Sequence, residues 1–186
     1  MFTKNINFEN FEPKKKKNFN LRQKLNILFS SKNEVLESLK QNYKNSYSKK
    51  HIKTYKRGSN FRIIGMGGST LGAQAIYDFL KYKIKKNIVF IDNLQPNQKK
   101  NSKKKFTNLI ISKSGNTLET ISNLNIYLTK KDKNIFITEK KQSQLHALAN
   151  ELQSEIIHHN NFIGGRYSVL SEVGMLPAEL MGLDAK

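Results

Sequence analysis

Cysteine is absent from this sequence, which excludes a disulfide framework and any thiolate metal site. The four histidines, His51, His146, His158 and His159, have no ligand-like spacing with carboxylates, so no structural metal is expected. No hydrophobic run approaches the roughly 20 residues of a membrane span, and the stretch Met1 to Phe8 lacks the apolar core of a secretion signal. A cytoplasmic protein without membrane association is therefore expected. Acidic residues are scarce, 14 against 33 Lys and Arg, for a formal net charge of +19.

Such an excess suits a polyanionic partner, because a basic surface attracts nucleic acid by its long-range field and by counterion release. The charge is nearly all Lys, however, with Arg22, Arg57, Arg62 and Arg166 as the arginines. Base and phosphate clamps favour the planar guanidinium fork. Lys is spread along the whole chain, so it reads as a solvated surface, and a nucleic-acid partner is not expected. Steering of a small anion is compatible with it. With 37% apolar residues in 186, the chain has material for one buried core plus an appendage, and not for two full domains.

Residues 1–18 are polar and end in Lys14-Lys15-Lys16-Lys17, a self-repelling block that predicts a flexible basic arm. Over 19–55, accessory helices are expected: Leu21, Leu25, Leu28, Val35, Leu36 and Leu39 fit one helical face, with a break near Ser30-Ser31. The pattern then changes. Short apolar runs at Phe61 to Ile64, Ile88 to Ile91, Leu109 to Ile111, Ile135 to Ile137 and, more weakly, Glu155 to His158 alternate with amphipathic stretches at Leu71 to Tyr82, Thr117 to Leu128 and Ser143 to Leu152. Strand and helix in alternation predict an α/β fold over 56–160, a doubly wound parallel sheet of about five strands with helices on both faces. In such sheets ligands bind at the carboxyl ends of the strands.

Three segments fall where that rule looks for chemistry. The first strand ends in Gly65-Met66-Gly67-Gly68-Ser69-Thr70-Leu71-Gly72, a turn whose backbone N–H groups can approach an anion. No Gly-Lys-Ser/Thr follows, and Thr70 stands where a dinucleotide fingerprint has its third glycine, so neither nucleotide motif is present. A tight turn that only uses glycine's freedom in φ is the plainer alternative. The third strand ends in Ser112-Lys113-Ser114-Gly115-Asn116-Thr117-Leu118-Glu119-Thr120. Hydroxyls, a Lys and a Gly at a helix start suit a phosphate dianion, since unpaired N–H groups and the helix dipole converge there. Asn116 followed by Glu119 could instead be a capping-box variant. The last segment, Asn161 to Ser171, carries Gly164-Gly165-Arg166-Tyr167-Ser168. Arg166 can hold developing negative charge, or be spent in a structural ion pair.

In order and spacing, the Gly-Met-Gly-Gly-Ser turn, the Ser-Lys-Ser-Gly-Asn-Thr-Leu-Glu-Thr loop and the Gly-Gly-Arg-Tyr-Ser signature resemble the glucose-6-phosphate isomerase family, over roughly residues 60–183. The second loop alone indicates only the wider sugar isomerase (SIS) superfamily of phosphosugar isomerases and binding modules. The signature is the more specific element. The resemblance implies an SIS-type fold, aldose–ketose isomerisation of a hexose 6-phosphate without cofactor or metal, and a homodimer. It implies that Gly68 and Ser69 contact the sugar, that Ser112, Lys113, Ser114, Gly115, Asn116 and Thr117 cradle the phosphate, that Arg166 stabilises an enediolate, and that Glu119 lies beside the site.

The same resemblance places the family's base Glu, its ring-opening His and a Lys beyond the signature, outside these 186 residues. Residues 161–186 are accordingly expected to be the signature and the start of a further part, with a second polypeptide as one way of completing the site. Glu172 stands where the family usually has a small residue or Pro. His158 and His159 leave a strand on opposite sides, so at most one faces the site. A non-catalytic SIS-type module that binds a phosphosugar as a regulatory ligand is the alternative.

Overall fold

The computed structural model describes residues 19–31, 33–38, 40, 42–95, 104–129 and 132–185. The chain divides into two compact units, Met1–Leu39 and Lys40–Lys186. In the first, helices α1 (Phe19–Ser30) and α2 (Glu34–Glu37) are separated just past Ser30, where the sequence expects a break. Asn33 caps α2 by accepting from the Val35 amide at 2.9 Å. The expected basic arm, 1–18, lies outside the described residues, as does Leu39 of the predicted apolar face.

The second unit runs α3 (Lys49–Tyr55), β1 (Asn60–Ile64), α4 (Leu71–Leu80), β2 (Asn87–Ile91), β3 (Thr107–Ile111), α5 (Leu118–Tyr127), β4 (Lys133–Glu139), α6 (Gln144–Glu151), β5 (Glu155–His159) and α7 (Glu172–Met181). The strands form one sheet in the order β2-β1-β3-β4-β5, every pair parallel. The expected five-stranded, doubly wound α/β fold is what the chain adopts. The strands are five to seven residues long, and their clustered Ile, Phe and Leu, too short a stretch for a buried helix, fit a strand covered on both faces.

Alternation along each strand divides the core. Phe61, Ile63, Leu109, Ile111, Ile135, Ile137 and Ile157 face one side with Ala73 of α4 and Val173, Leu176, Leu180 and Met181 of α7. Ile64, Ile110 and Phe136 face the other with Leu124 of α5 and Leu145 and Ala149 of α6, as the two-residue side-chain period requires. The segment expected to open a further part, 161–186, thus contributes α7 to the core of this unit.

From β1 the chain steps outward to β2, then returns across β1 to β3 and continues to β5. The winding reverses between β1 and β3, and such a switch point opens a crevice at the carboxyl ends of the two strands. The register pairs Ile64 with Ile91 on one side and Ile110 on the other, so these strand ends lie level. Gly65 follows β1 and Ser112 follows β3, which puts two of the three candidate segments at the crevice.

Candidate functional site

At the end of β3, the loop 112–117 is shaped by short-range bonds. The Ser112 and Thr117 hydroxyls share a hydrogen bond of 2.8 Å, and the Gly115 amide donates to the Ser112 hydroxyl at 3.2 Å. Gly115 has φ +68, and a Cβ there would meet the Ser143 hydroxyl at 2.2 Å. Both conformation and space therefore demand glycine. The loop is also sewn to the start of α6: the Gln144 amide donates to Asn116 Oδ1 at 2.9 Å, and the Leu145 amide to the Gly115 carbonyl at 3.0 Å.

Asn116 is thus occupied by α6 and does not act as the cap that the Asn116/Glu119 spacing allowed. Thr117 takes the N-cap position of α5, yet its side chain makes no capping bond. The first N–H groups of α5, the exposed Ser114 and the half-buried Thr117 leave donors and a positive dipole end open at one point, the arrangement that holds a phosphate. Glu119 is half-buried in the first turn of α5.

Lys113 projects differently from its neighbours. Its ammonium donates to the Asn161 carbonyl at 2.7 Å and the Ile163 carbonyl at 3.0 Å, and Glu139 lies at 3.5 Å. An ammonium has three donors, and these acceptors engage them. Lys113 therefore ties the loop to the third segment, and direct contact with a phosphate would require it to leave these partners.

The first turn and the third segment meet through backbone. Gly67–Ser69 forms a 3₁₀ turn, and so does Gly165–Leu170. A Cβ on Gly68 would lie 2.2 Å from the Gly165 carbonyl oxygen and 3.2 Å from the Arg166 nitrogen, so only glycine permits this approach. The Ser168 hydroxyl lies 3.3 Å from the Gly68 carbonyl and 2.8 Å from that of Gly165. Gly68 and Ser69 are half-buried, whereas Arg166 is exposed and, among the described residues, makes no ion pair. Arg62, by contrast, is buried between the Phe106 and Tyr127 rings, 4.1 and 4.9 Å from their centroids, and donates to Asn108 Oδ1 at 3.1 Å. Desolvation pushes its pKa down, and it serves the core.

The two histidines do point apart. His159 turns to the α7 side, 3% exposed, with Nδ1 at 2.5 Å from Oε1 of the fully buried Glu172. His158 faces the other side, where burial foremost, then Lys140 and His146, hold its pKa below the usual histidine value. The sequence marks Glu172 as a departure from the family pattern and, with Glu179, as a carboxylate following the signature; its pairing with His159 had no signal beyond the presence of both residues.

A cavity of about 500 Å³ lies at the opposite edge of the sheet, lined by Thr54, Tyr55, Lys133 and Gln153 among others. Asp132, Glu151 and Glu155 also line it, a sign of charge that disfavours a phosphate dianion. Among the described residues no group of three His, Cys, Asp or Glu could hold a metal ion, and no helix is long and apolar enough to cross a membrane.

A five-stranded, doubly wound parallel sheet with a hydroxyl-rich helix start at its switch point defines an SIS-type α/β domain. The phosphoglucose isomerase family model matches residues 26–185, and the chain belongs to that family. The glucose-6-phosphate isomerase of Methanocaldococcus jannaschii is 38% identical over 139 residues, covering 67% of this chain and 33% of that protein. That of Acholeplasma laidlawii is 38% identical over 144 residues, covering 67% and 34%. The chain thus spans about a third of the length of these curated relatives. A hypothetical protein of Thermus thermophilus superposes with a TM-score of 0.60 at 25% identity, over 73% of this chain and 37% of its own. The Vibrio vulnificus NanR protein, solved with ManNAc-6P, shares the fold with a TM-score of 0.53 at 16% identity, over 72% of this chain and 51% of its own.

Proposed function

We propose that this chain supplies the phosphate-binding part of a cytoplasmic glucose-6-phosphate isomerase, which interconverts glucose 6-phosphate and fructose 6-phosphate through a cis-enediol. The observation that carries the reading is the start of α5, which has no side-chain cap and is ringed by Ser112, Ser114 and Thr117, at the same end of the sheet as an arginine with no ion-pair partner among the described residues. In this reading the loop Ser112 to Thr117 holds the substrate phosphate, with Ser114, Thr117 and the first α5 amides as donors. Gly68 and Ser69 contact the sugar, and Glu119 borders it. Lys113 acts through its field and through its hold on the third segment.

Isomerisation moves a proton between C2 and C1. A base removes the C2 proton of the open-chain aldose, the C–H electrons form the C1–C2 double bond, and negative charge develops on oxygen. Arg166 stabilises that oxyanion; O1 gains a proton as O2 loses its own, and the proton is returned to C1 as the C2 carbonyl forms. The base must reach both carbons within about 3 Å. Glu172 is fully buried against His159, and Glu179 lies about two turns further along α7. Neither is placed for this task. The base, the ring-opening group and the companion cation belong, in this reading, to residues beyond these 186, on a continuous or a second polypeptide; by family resemblance the assembly is a homodimer. Exposed Met66, Leu71, Tyr167 and Leu170 on and around the first turn and the signature offer such a part an apolar surface, as large exposed apolar groups often mark an interface.

Solvent-to-substrate deuterium exchange tests the reading, because it reports proton abstraction without net conversion. With fructose 6-phosphate in D2O, the chain should incorporate no more deuterium than an Arg166→Ala control. Exchange should appear when the carboxy-terminal remainder of a relative is added. Exchange by the chain alone, above the control, would place a base within these residues. Binding that is never followed by exchange would favour the regulatory phosphosugar module.

A further inference from the structure

His159 is the last residue of β5 and Glu172 the first of α7, so the two bracket the Arg166 segment at entry and exit. His159 Nε2 lies 3.2 Å from the Ile163 carbonyl. A carbonyl only accepts, so Nε2 carries a hydrogen. The 2.5 Å contact between Nδ1 and Glu172 Oε1 must then also contain a proton, supplied by an imidazolium or by a carboxylic acid, since two bare acceptors would repel. The α7 dipole favours negative charge on Glu172, and the Ser46 amide points to its second oxygen from 3.5 Å.

The Ile163 carbonyl accepts a second bond, from Lys113 Nζ at 3.0 Å, and Lys113 holds the Asn161 carbonyl at 2.7 Å as well. Asn160 Nδ2 donates to the Tyr43 hydroxyl at 2.6 Å. Residues 160–163 are therefore fastened by side chains from three directions. Gly164 and Gly165, which follow, have no side chains with which to anchor themselves. The position of Arg166 is set by that turn, by the start of α7 and by the backbone contact of Gly165 with Gly68.

We propose that the buried His159–Glu172 pair is a positioning device for Arg166, acting through the turn at Ile163 that Lys113 also fastens. Charge exchanged for a merely apolar contact would keep the fold and release the segment, because replacing both members of a buried pair is often neutral for stability whereas removing one strands the other. The inference rests on the isomerase reading only in its ligand readout.

The test uses the full chain with Glu172→Gln and with the double replacement His159→Leu, Glu172→Leu. A glutamine amide can donate to Nδ1 of a neutral imidazole and so preserve the geometry. Amide hydrogen exchange is read at Tyr167 and Ser171, which donate to the Gly164 and Ser168 carbonyls at 2.9 and 3.0 Å, against Leu109 to Ile111 in the sheet. In the double variant, exchange at Tyr167 and Ser171 should rise at least about tenfold with the strand amides unchanged; in Glu172→Gln it should stay within about twofold of the parent. The preference for 6-phosphogluconate, whose carboxylate an aligned Arg166 would meet, over inorganic phosphate should fall about tenfold in the double variant alone, with phosphate affinity itself unchanged. Unchanged exchange at Tyr167 and Ser171 would overturn the inference, and so would equal acceleration in the strands, which would make the pair a general stability element. If the parent chain showed no preference for 6-phosphogluconate, the isomerase reading of Arg166 would fail while the exchange result still decided the positioning claim.

Discussion

The loop 112–117 takes its shape largely from itself, through Ser112, Gly115 and Thr117, and from the start of α6 that follows on the next strand. The Arg166 segment is held by residues far away in sequence: Gly68 by backbone contact, Lys113 through Ile163, and His159 with Glu172. One anion-facing element is thus preformed locally, and the other depends on the assembled domain. A locally determined phosphate cradle survives small changes elsewhere. An arginine set by tertiary contacts can be displaced without unfolding anything, which is why the two should respond differently to mutation.

The largest effect is expected from Gly115→Val. It places a β-branched residue at φ +68 and drives Cβ into Ser143, a combined cost of about 2–4 kcal/mol from backbone strain and overpacking. Chemical denaturation should show that loss, and calorimetry should show no sugar-phosphate binding. A smaller and more selective change follows from replacing Ser114 with Ala and Thr117 with Val together. Donors to a charged group are lost, so sugar-phosphate binding should weaken by about 1–3 kcal/mol, while loss of the Ser112–Thr117 hydroxyl bond should lower stability by only about 0.5–1.5 kcal/mol. Undiminished affinity in calorimetry would show that the hydroxyls are not the cradle. Asn116→Ala is the mildest of the set. It removes the acceptor for the Gln144 amide and should lower stability by about 0.5–1.5 kcal/mol, which sharpens the comparison by showing how far the loop leans on α6.

The same contrast governs what could be read in advance. The sheet was legible because Leu109 to Ile111 and Ile135 to Ile137 are buried on both faces and so written as continuous apolar runs, with Phe61 to Ile64 broken only by the buried Arg62, and even the weak run Glu155 to His158 pairs with β4. The loop was legible because its chemistry is contiguous: Ser112, Ser114, Gly115 and Thr117 lie within six residues. Two local ambiguities needed tertiary contacts to resolve. Asn116 could cap α5 or bond elsewhere, and only the return of β4 into α6 brings the Gln144 amide to it. Arg166 could pair with a carboxylate or not; among the described residues it makes no ion pair, and Glu139 and Glu172 are met by Lys113 and His159. Nothing in the sequence marks Lys113, among 33 Lys and Arg, as the one that reaches a turn 50 residues later. Glu172 drew notice only as a residue foreign to its position; that it is buried follows from His159, 13 residues earlier, which periodicity does not connect to it.

Amide chemical-shift mapping of the isotope-labelled chain during titration with glucose 6-phosphate tests the central claim most directly, because it compares both edges of the sheet in one experiment. The account predicts shifts at Ser114 to Thr120, with smaller ones at Gly68 and Arg166, and none at Gln153 to Glu155 beside the 500 Å³ cavity. Shifts confined to that opposite edge, or no shift at the start of α5 at saturating ligand, would contradict it.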